Sequence, residues 1–220
     1  MLNDYDQIIC IHPKDFSTDF LKPIGDLFEN KYYIIEDNEE SHQNTLSLIR
    51  QLQRKCLIVF LGHGSSSGLN SANTHLYSKR TFINKDIGNE IFSAHDIFLL
   101  CCNSSEYTKQ LHSYNSILGF GNILSSKEEV TIEAEYTGIL RVLDDDDISK
   151  FNMSYVHAIR SAFTLLFKGK ITFKHLKDYI EYFINKEISQ ILLNKEKSNR
   201  IEVSKLYFEL RNEMVVRFRC

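Results

Sequence analysis

Tryptophan is absent from this 220-residue chain, methionine occurs three times, and proline only twice, at Pro13 and Pro23. With so little proline, and with no internal repeat or low-complexity linker, the chain is neither collagenous nor fibrous nor a polyproline spacer. A surplus of positive charge is also missing. Twenty-six Lys and Arg against 29 Asp and Glu leave a net charge of -3, which offers no global attraction to nucleic acid phosphates or anionic lipid, so neither nucleic acid nor membrane is expected as a partner. No apolar run reaches the roughly 18 residues that span a bilayer. The segment Met1–Gln7 is polar and acidic where a secretory signal is basic and then greasy, so a cytoplasmic setting is expected. Five cysteines, two of them adjacent (Cys101, Cys102) and one terminal (Cys220), make a poor disulfide framework; free thiols in a reducing compartment fit better.

What remains is enough apolar material for a sizeable core: 43% of residues are hydrophobic and 12% aromatic. At roughly 100 to 200 residues per domain, a single domain over residues 1–220 is expected. Up to about residue 125, short apolar runs alternate with amphipathic stretches, the pattern of a parallel sheet covered by helices. Strands are predicted at Gln7–His12, Tyr32–Glu36, Cys56–Leu61, Asp96–Cys101 and Ser116–Phe120. Helices are predicted at Phe16–Asn30, Ser41–Lys55, Asn84–Ser93 and Ser105–Ser113, with Ser41 and either Asp15 or Ser17 as N-caps. Leu57–Leu61 and Ile97–Leu100 are continuously apolar and read as central strands buried on both faces.

Residues 126–220 carry helical spacing over Glu128–Leu143, Ser154–Phe167 and Thr172–Leu193. The last has an incomplete apolar stripe of Phe173, Leu176, Ile180, Phe183 or Ile184, Glu187 and Ile191. Asp144–Asp147 reads as a solvated loop and N-cap cluster, Lys195–Lys205 as a solvated surface, and Met214–Phe218 as a final edge strand. Such an edge could pair two copies of the chain, and a monomer is equally compatible.

Reactive side chains stand directly after the two greasiest strands. The first block is Leu61-Gly62-His63-Gly64 and the second Leu100-Cys101-Cys102-Asn103. In open α/β sheets the carboxyl ends of the strands form the ligand crevice, so His63 and Cys102 are expected to meet there. An imidazole beside a thiol can take its proton and later protonate a leaving amine, which is acyl-transfer chemistry. The Gly64 N–H, unshielded by a Cβ, and the Cys102 N–H are the expected oxyanion donors.

These blocks resemble those of the caspase-like (clan CD) cysteine peptidases, closest to the CHAT branch, which carry His-Gly after one hydrophobic strand and Cys after the next. The resemblance spans roughly residues 5–125 and places Cys101 in the family's small-residue position, which makes Cys102 the nucleophile. It implies a caspase-like three-layer sandwich with a mainly parallel central sheet and helices on both faces. It implies a thiol protease that cleaves peptide bonds in protein substrates through a Cys-His dyad without a cofactor, turned on by an upstream sensor or activator, with a role in bacterial antiviral defence or cell death. The animal caspase signature Gln-Ala-Cys-x-Gly is absent, so a preference for Asp does not carry over. Glu106 or the Asp144–Asp147 run could instead receive a basic side chain.

Two other readings compete. A caspase fold can serve as a catalytically silent interaction or regulatory module. Alternatively, Gly64-Ser65-Ser66-Ser67-Gly68 satisfies the G-x-S-x-G of serine hydrolases, with Ser66 as nucleophile, but the next stretch, Leu69 to His75, is too polar to begin the packed helix that motif requires. Gly119-Phe120-Gly121 lacks the third glycine of a dinucleotide loop, and neither a P-loop nor a zinc or EF-hand spacing occurs, so no metal is expected.

Overall fold

The computed structural model describes residues 5–53 and 55–219; the start of the N-terminal segment and Cys220 lie outside them. The chain opens with β1 (Ile8–Pro13), a 3-10 turn (Phe16–Leu21), the short α1 (Lys22–Gly25), a second 3-10 stretch (Asp26–Lys31) and β2 (Tyr32–Ile35). The single helix predicted for Phe16–Asn30 is thus broken into three pieces. Pro23 has no N–H to extend the 3-10 turn, and Glu29 takes a left-handed φ of 52° that stops propagation. Asp15 is the N-cap, accepting from the Ser17 N–H.

Next come α2 (Glu39–Arg50), capped by Asn38 rather than Ser41, and β3 (Leu57–Leu61). The polar stretch Ser65–Arg80, featureless in sequence, is bracketed by a three-stranded antiparallel sheet: β4 (Gly64–Ser65), β5 (Gly68–Asn70) and β6 (Thr81–Asn84). Then follow α3 (Lys85–Ile91), capped by Asn84, β7 (Asp96–Leu100), the one-turn α4 (Ser104–Tyr107) and β8 (Ser116–Gly119). Four helices, α5 (Lys127–Thr137), α6 (Asp145–Phe167), α7 (Leu176–Leu193) and α8 (Arg200–Asn212), precede β9 (Val215–Phe218).

The main sheet has the order β2-β1-β3-β7-β8-β9. It is parallel except for β9, which returns antiparallel along β8, the edge position expected of the tail. Alternate residues of its strands enter two cores. Ile8, Cys10, Val59, Leu61, Phe98 and Leu100 pack beneath α1, α6, α7 and α8, whereas Ile9, Ile11, Phe60, Ile97 and Leu99 pack against α2, α3 and the small sheet. Helices therefore cover both faces of a mixed α/β sheet, which is why the central strands β3 and β7 are apolar at every position but Asp96.

Three further sequence readings need correction. Of the aspartate run, Asp144 is an N-cap but Asp145–Asp147 form the first turn of α6. Asp147 closes a capping box and is buried against Lys197 and Asn199. The buried stripe of α7 is Leu176, Ile180, Ile184 and Ile188 rather than one passing through Glu187. Arg200–Lys205 is not merely solvated surface: it starts α8, whose Val203, Leu206, Tyr207 and Leu210 are buried. Charged residues between those positions mask the period in the sequence.

Candidate active site

Strands β3 and β7 pair in register with Leu61 opposite Leu100, and the Gly62 N–H donates to the Leu100 carbonyl at 3.1 Å. His63 and Cys102 each stand two residues beyond that matched pair. The register thus brings the two residues to the same level at the carboxyl edge of the sheet, and both line one pocket with Thr18, Phe20, Ile123, Ser125 and Tyr155. The free interior of that pocket is only about 20 Å³, room for roughly one water.

Strand alternation separates the adjacent cysteines. Cys102 packs against the core under α6, and Cys101 turns to the opposite core, 2% exposed, with Phe60, Leu99 and Tyr107. The Cys101 sulfur fills the space beside Gly64: a Cβ built on Gly64 would sit 2.6 Å from Sγ and 3.3 Å from the Cys102 carbonyl oxygen. Only glycine lets the two strand-end loops approach this closely. The chain then turns sharply at Asn103, which adopts φ 56° and donates its N–H to the Gly121 carbonyl at 2.8 Å. Asparagine tolerates that conformation better than most side chains.

Gly64 also keeps a free donor in the hairpin. It is paired with Leu69, and the Asn70 N–H donates to the His63 carbonyl. By the alternation of antiparallel pairs this makes Gly64–Leu69 a non-hydrogen-bonded pair, so the β4–β5 ladder does not consume the Gly64 N–H. Ser66 lies at the tip of that hairpin and its carbonyl accepts from Gln110. A hairpin tip is not the strand-turn-helix elbow in which G-x-S-x-G presents a nucleophile.

His63 is held from the turn that follows β1. Its Nε2 lies 2.7 Å from Ser17 Oγ, and Ser17 Oγ lies 2.7 Å from Asp15 Oδ1. A carboxylate only accepts, so the Ser17 proton goes to Asp15, and Ser17 in turn accepts from His63 Nε2–H. That count assigns the tautomer: the proton is on Nε2, and Nδ1 carries the lone pair of a base. Asp15 Oδ2 is 3.4 Å from Nε2, an ion-pair distance at which it lacks hydrogen-bond geometry, and it is buried with no hydrogen-bond partner among the described residues. A buried carboxylate so placed gains most when the imidazole is protonated. Sequence reasoning assigns Asp15 and Ser17 only a capping role and names no third residue. The available signal is their position just past the end of a strand neighbouring β3.

Burial lowers the His63 pKa below the ordinary histidine value, with Asp15 opposing. Burial, aided by the negative charge of Glu129, pushes the Cys102 thiol up to about 11. Both shifts favour the uncharged pair over thiolate and imidazolium. The Cys102 thiol donates to the Ile123 carbonyl at 3.3 Å. Glu129 is held nearby by the Ser125 N–H and hydroxyl at 2.7 and 2.8 Å. Burial raises the Cys101 thiol as well, and a buried, un-ionised thiol is a poor nucleophile.

Glu106 is exposed and paired with Lys109. The four described cysteines are free, and among the described residues no group of His, Cys, Asp or Glu is arranged to hold a metal ion. No described helix is long and apolar enough to cross a membrane. Comparison of the chain with protein-family models, curated proteins and solved structures finds no match in any of the three, so the functional reading rests on the geometry and on the two sequence blocks.

Proposed function

We propose that the chain is a cysteine peptidase of the caspase-like type, closest to the CHAT branch, in which Cys102 is the nucleophile and His63 the base. The observation that carries this reading is the placement of His63 and Cys102 at one level on one face of the sheet, lining one pocket, with His63 Nδ1 left as the basic nitrogen.

In the proposed reaction the Cys102 sulfur attacks the carbonyl carbon of the scissile bond as its proton passes to His63 Nδ1. The carbonyl oxygen becomes an oxyanion that accepts from the Gly64 and Cys102 N–H groups. Collapse breaks the C–N bond, the leaving nitrogen takes the proton back from His63, and a thioester remains. His63 then deprotonates a water that attacks the thioester, which releases the acid and restores the thiol. Asp15, through Ser17 and directly, stabilises the imidazolium in each half-reaction.

A raised thiol pKa and a pocket with room for about one water describe a resting form that must open before a polypeptide can enter. The same two observations favour the second reading, a silent caspase-fold regulatory module. Cleavage of a broad fluorogenic peptide library, with and without candidate activators from defence or cell-death systems, separates the two. The peptidase reading expects cleavage that disappears in Cys102→Ala and His63→Ala and survives in Cys101→Ala and Ser66→Ala; cleavage that survives Cys102→Ala overturns it.

A further inference from the structure

Beside the shut pocket runs an open groove of about 280 Å³ that shares Phe20 and Ser125 with it. Its floor is one face of α6, where Asp145, Ile148, Ser149 and Asn152 follow one another at helical spacing, and Tyr155 continues that face into the dyad pocket. The groove therefore leads from the nucleophile outward along the helix.

Asn152 is the feature of this groove that asks for a ligand. It is 7% exposed, its Nδ2 donates to the Ser125 carbonyl at 2.8 Å, and its Oδ1 is buried with no hydrogen-bond partner among the described residues. The Ser125 contact fixes the amide orientation, because the flipped amide would set two acceptors against each other. An amide oxygen left without a donor in such a place is unfavourable, and a ligand N–H that reaches it removes that penalty.

Two turns toward the outer end, roughly 10 Å along the axis, stands the exposed carboxylate of Asp145. Its neighbours in the run are engaged: Asp144 caps the helix, Asp146 pairs with Lys150 and Asp147 with Lys197. The Asp145 carboxylate has no hydrogen bond or ion pair among the described residues. Lys127 also lines the groove, but with Glu129 on Ser125 the surrounding carboxylates outnumber it. Phe20 and the exposed Met153 form apolar walls suited to a methylene stem.

We propose that this groove is a substrate subsite for a peptide carrying a basic side chain, with Asn152 Oδ1 accepting an N–H of the peptide near the reacting bond and Asp145 receiving a Lys or Arg farther along. This deepens the cysteine peptidase reading and rests on it for its place in catalysis, while binding in the groove can be measured without any reaction. The experiment is peptide binding to the full-length Cys102→Ala chain by fluorescence anisotropy, with otherwise identical peptides that carry Arg, Lys, Gln or Glu.

Arg and Lys peptides are expected to bind at least tenfold more tightly than the Glu peptide. Asp145→Lys reverses that preference, and Asn152→Ala weakens all four peptides about tenfold. As Asn152→Ala could perturb α6, Asp145→Asn serves as the second variant; it alters only an exposed side chain and is expected to bring the Arg and Lys peptides down to the level of the Gln peptide, and an unchanged preference overturns the subsite. Equal binding of all four peptides, or a preference unchanged in Asp145→Lys, overturns the subsite. If the basic peptides bind as described but the wild-type chain cleaves none of them after activation, the catalytic reading fails and the subsite stands.

Discussion

Ser17 Oγ, 2.7 Å from His63 Nε2, surrenders its own proton to Asp15 and so accepts one from the imidazole. That single relationship ties the end of β1 to the end of β3 and decides which nitrogen of His63 is the base. Asp15→Asn keeps an acceptor for Ser17, since one oxygen takes both the Ser17 N–H and its hydroxyl, but it removes the negative charge that stabilises the imidazolium. The cleavage rate of the activated protein is expected to fall, by at most about 10⁴-fold, the loss found when a triad carboxylate becomes its amide. Ser17→Ala, which leaves Asp15 within ion-pair reach, costs less.

The pH dependence follows from the sign of the His63 shift. The base works only when neutral, and burial holds its pKa below the ordinary histidine value, so the acidic limb of the rate lies below pH 6.5. Asp15 opposes that shift by favouring the charged ring. Asp15→Asn therefore moves the limb to still lower pH while lowering the plateau, a combination that simple misfolding does not produce.

Thiol reactivity gives an independent test of the resting state. With a pKa of about 11, about one Cys102 in ten thousand is thiolate at pH 7. Alkylation by iodoacetamide, followed by mass spectrometry, is expected to be slow at neutral pH and to rise about tenfold per pH unit up to pH 10. Glu129→Gln removes a negative charge beside the sulfur and is expected to accelerate labelling at pH 7 several-fold. A pH-independent rate would show that the thiol is already ionised.

Gly64→Ala drives a methyl into the Cys101 sulfur. The expected cost is about 1–3 kcal/mol of stability, the range for overpacking a core, together with loss of cleavage as the two loops separate. Gly64→Ala with Cys101→Ala removes the clashing atom and is expected to recover at least half of that stability in urea unfolding. Strict additivity of the two changes would mean that the contact is not the cause.

Buried His12 on β1 gives a prediction of stability rather than of rate. It lies 2.6 Å from the Tyr32 hydroxyl and 3.0 Å from the Thr18 hydroxyl, and its pKa falls to about 4, chiefly through burial. A depressed pKa means that the unfolded chain binds the proton first. The stability linked to this ring is whole above about pH 6.5 and is lost as pH falls toward 4, by about 3 kcal/mol at most. His12→Gln, measured by denaturant unfolding across that window, is expected to show a shallower loss than wild type.

The sheet and the two reactive residues are legible in the sequence because their signals are local. Continuous apolar runs mark β3 and β7, and the residues after them need only the strand-end rule to be brought together. Asp15 and Ser17 are not recognisable there as partners of His63, since an aspartate two residues before a serine at a turn reads as a cap, and it is also a cap. The small sheet β4–β6 is hidden by its shortness and polarity; its pairing depends on Gly68 at φ 158° and on contacts with Leu69 and Ile83 that no period announces. The groove on α6 requires Asp145 to be helical, and an aspartate run by itself suggests a loop.

The most direct test of the dyad is covalent. An electrophilic peptide probe bearing a basic residue, incubated with the activated protein and mapped by mass spectrometry, is expected to modify Cys102, to leave Cys101 and Ser66 untouched, and to react at least a hundredfold more slowly with His63→Ala. Modification of Cys101 or Ser66, or labelling of Cys102 at a rate indifferent to His63, would contradict the account.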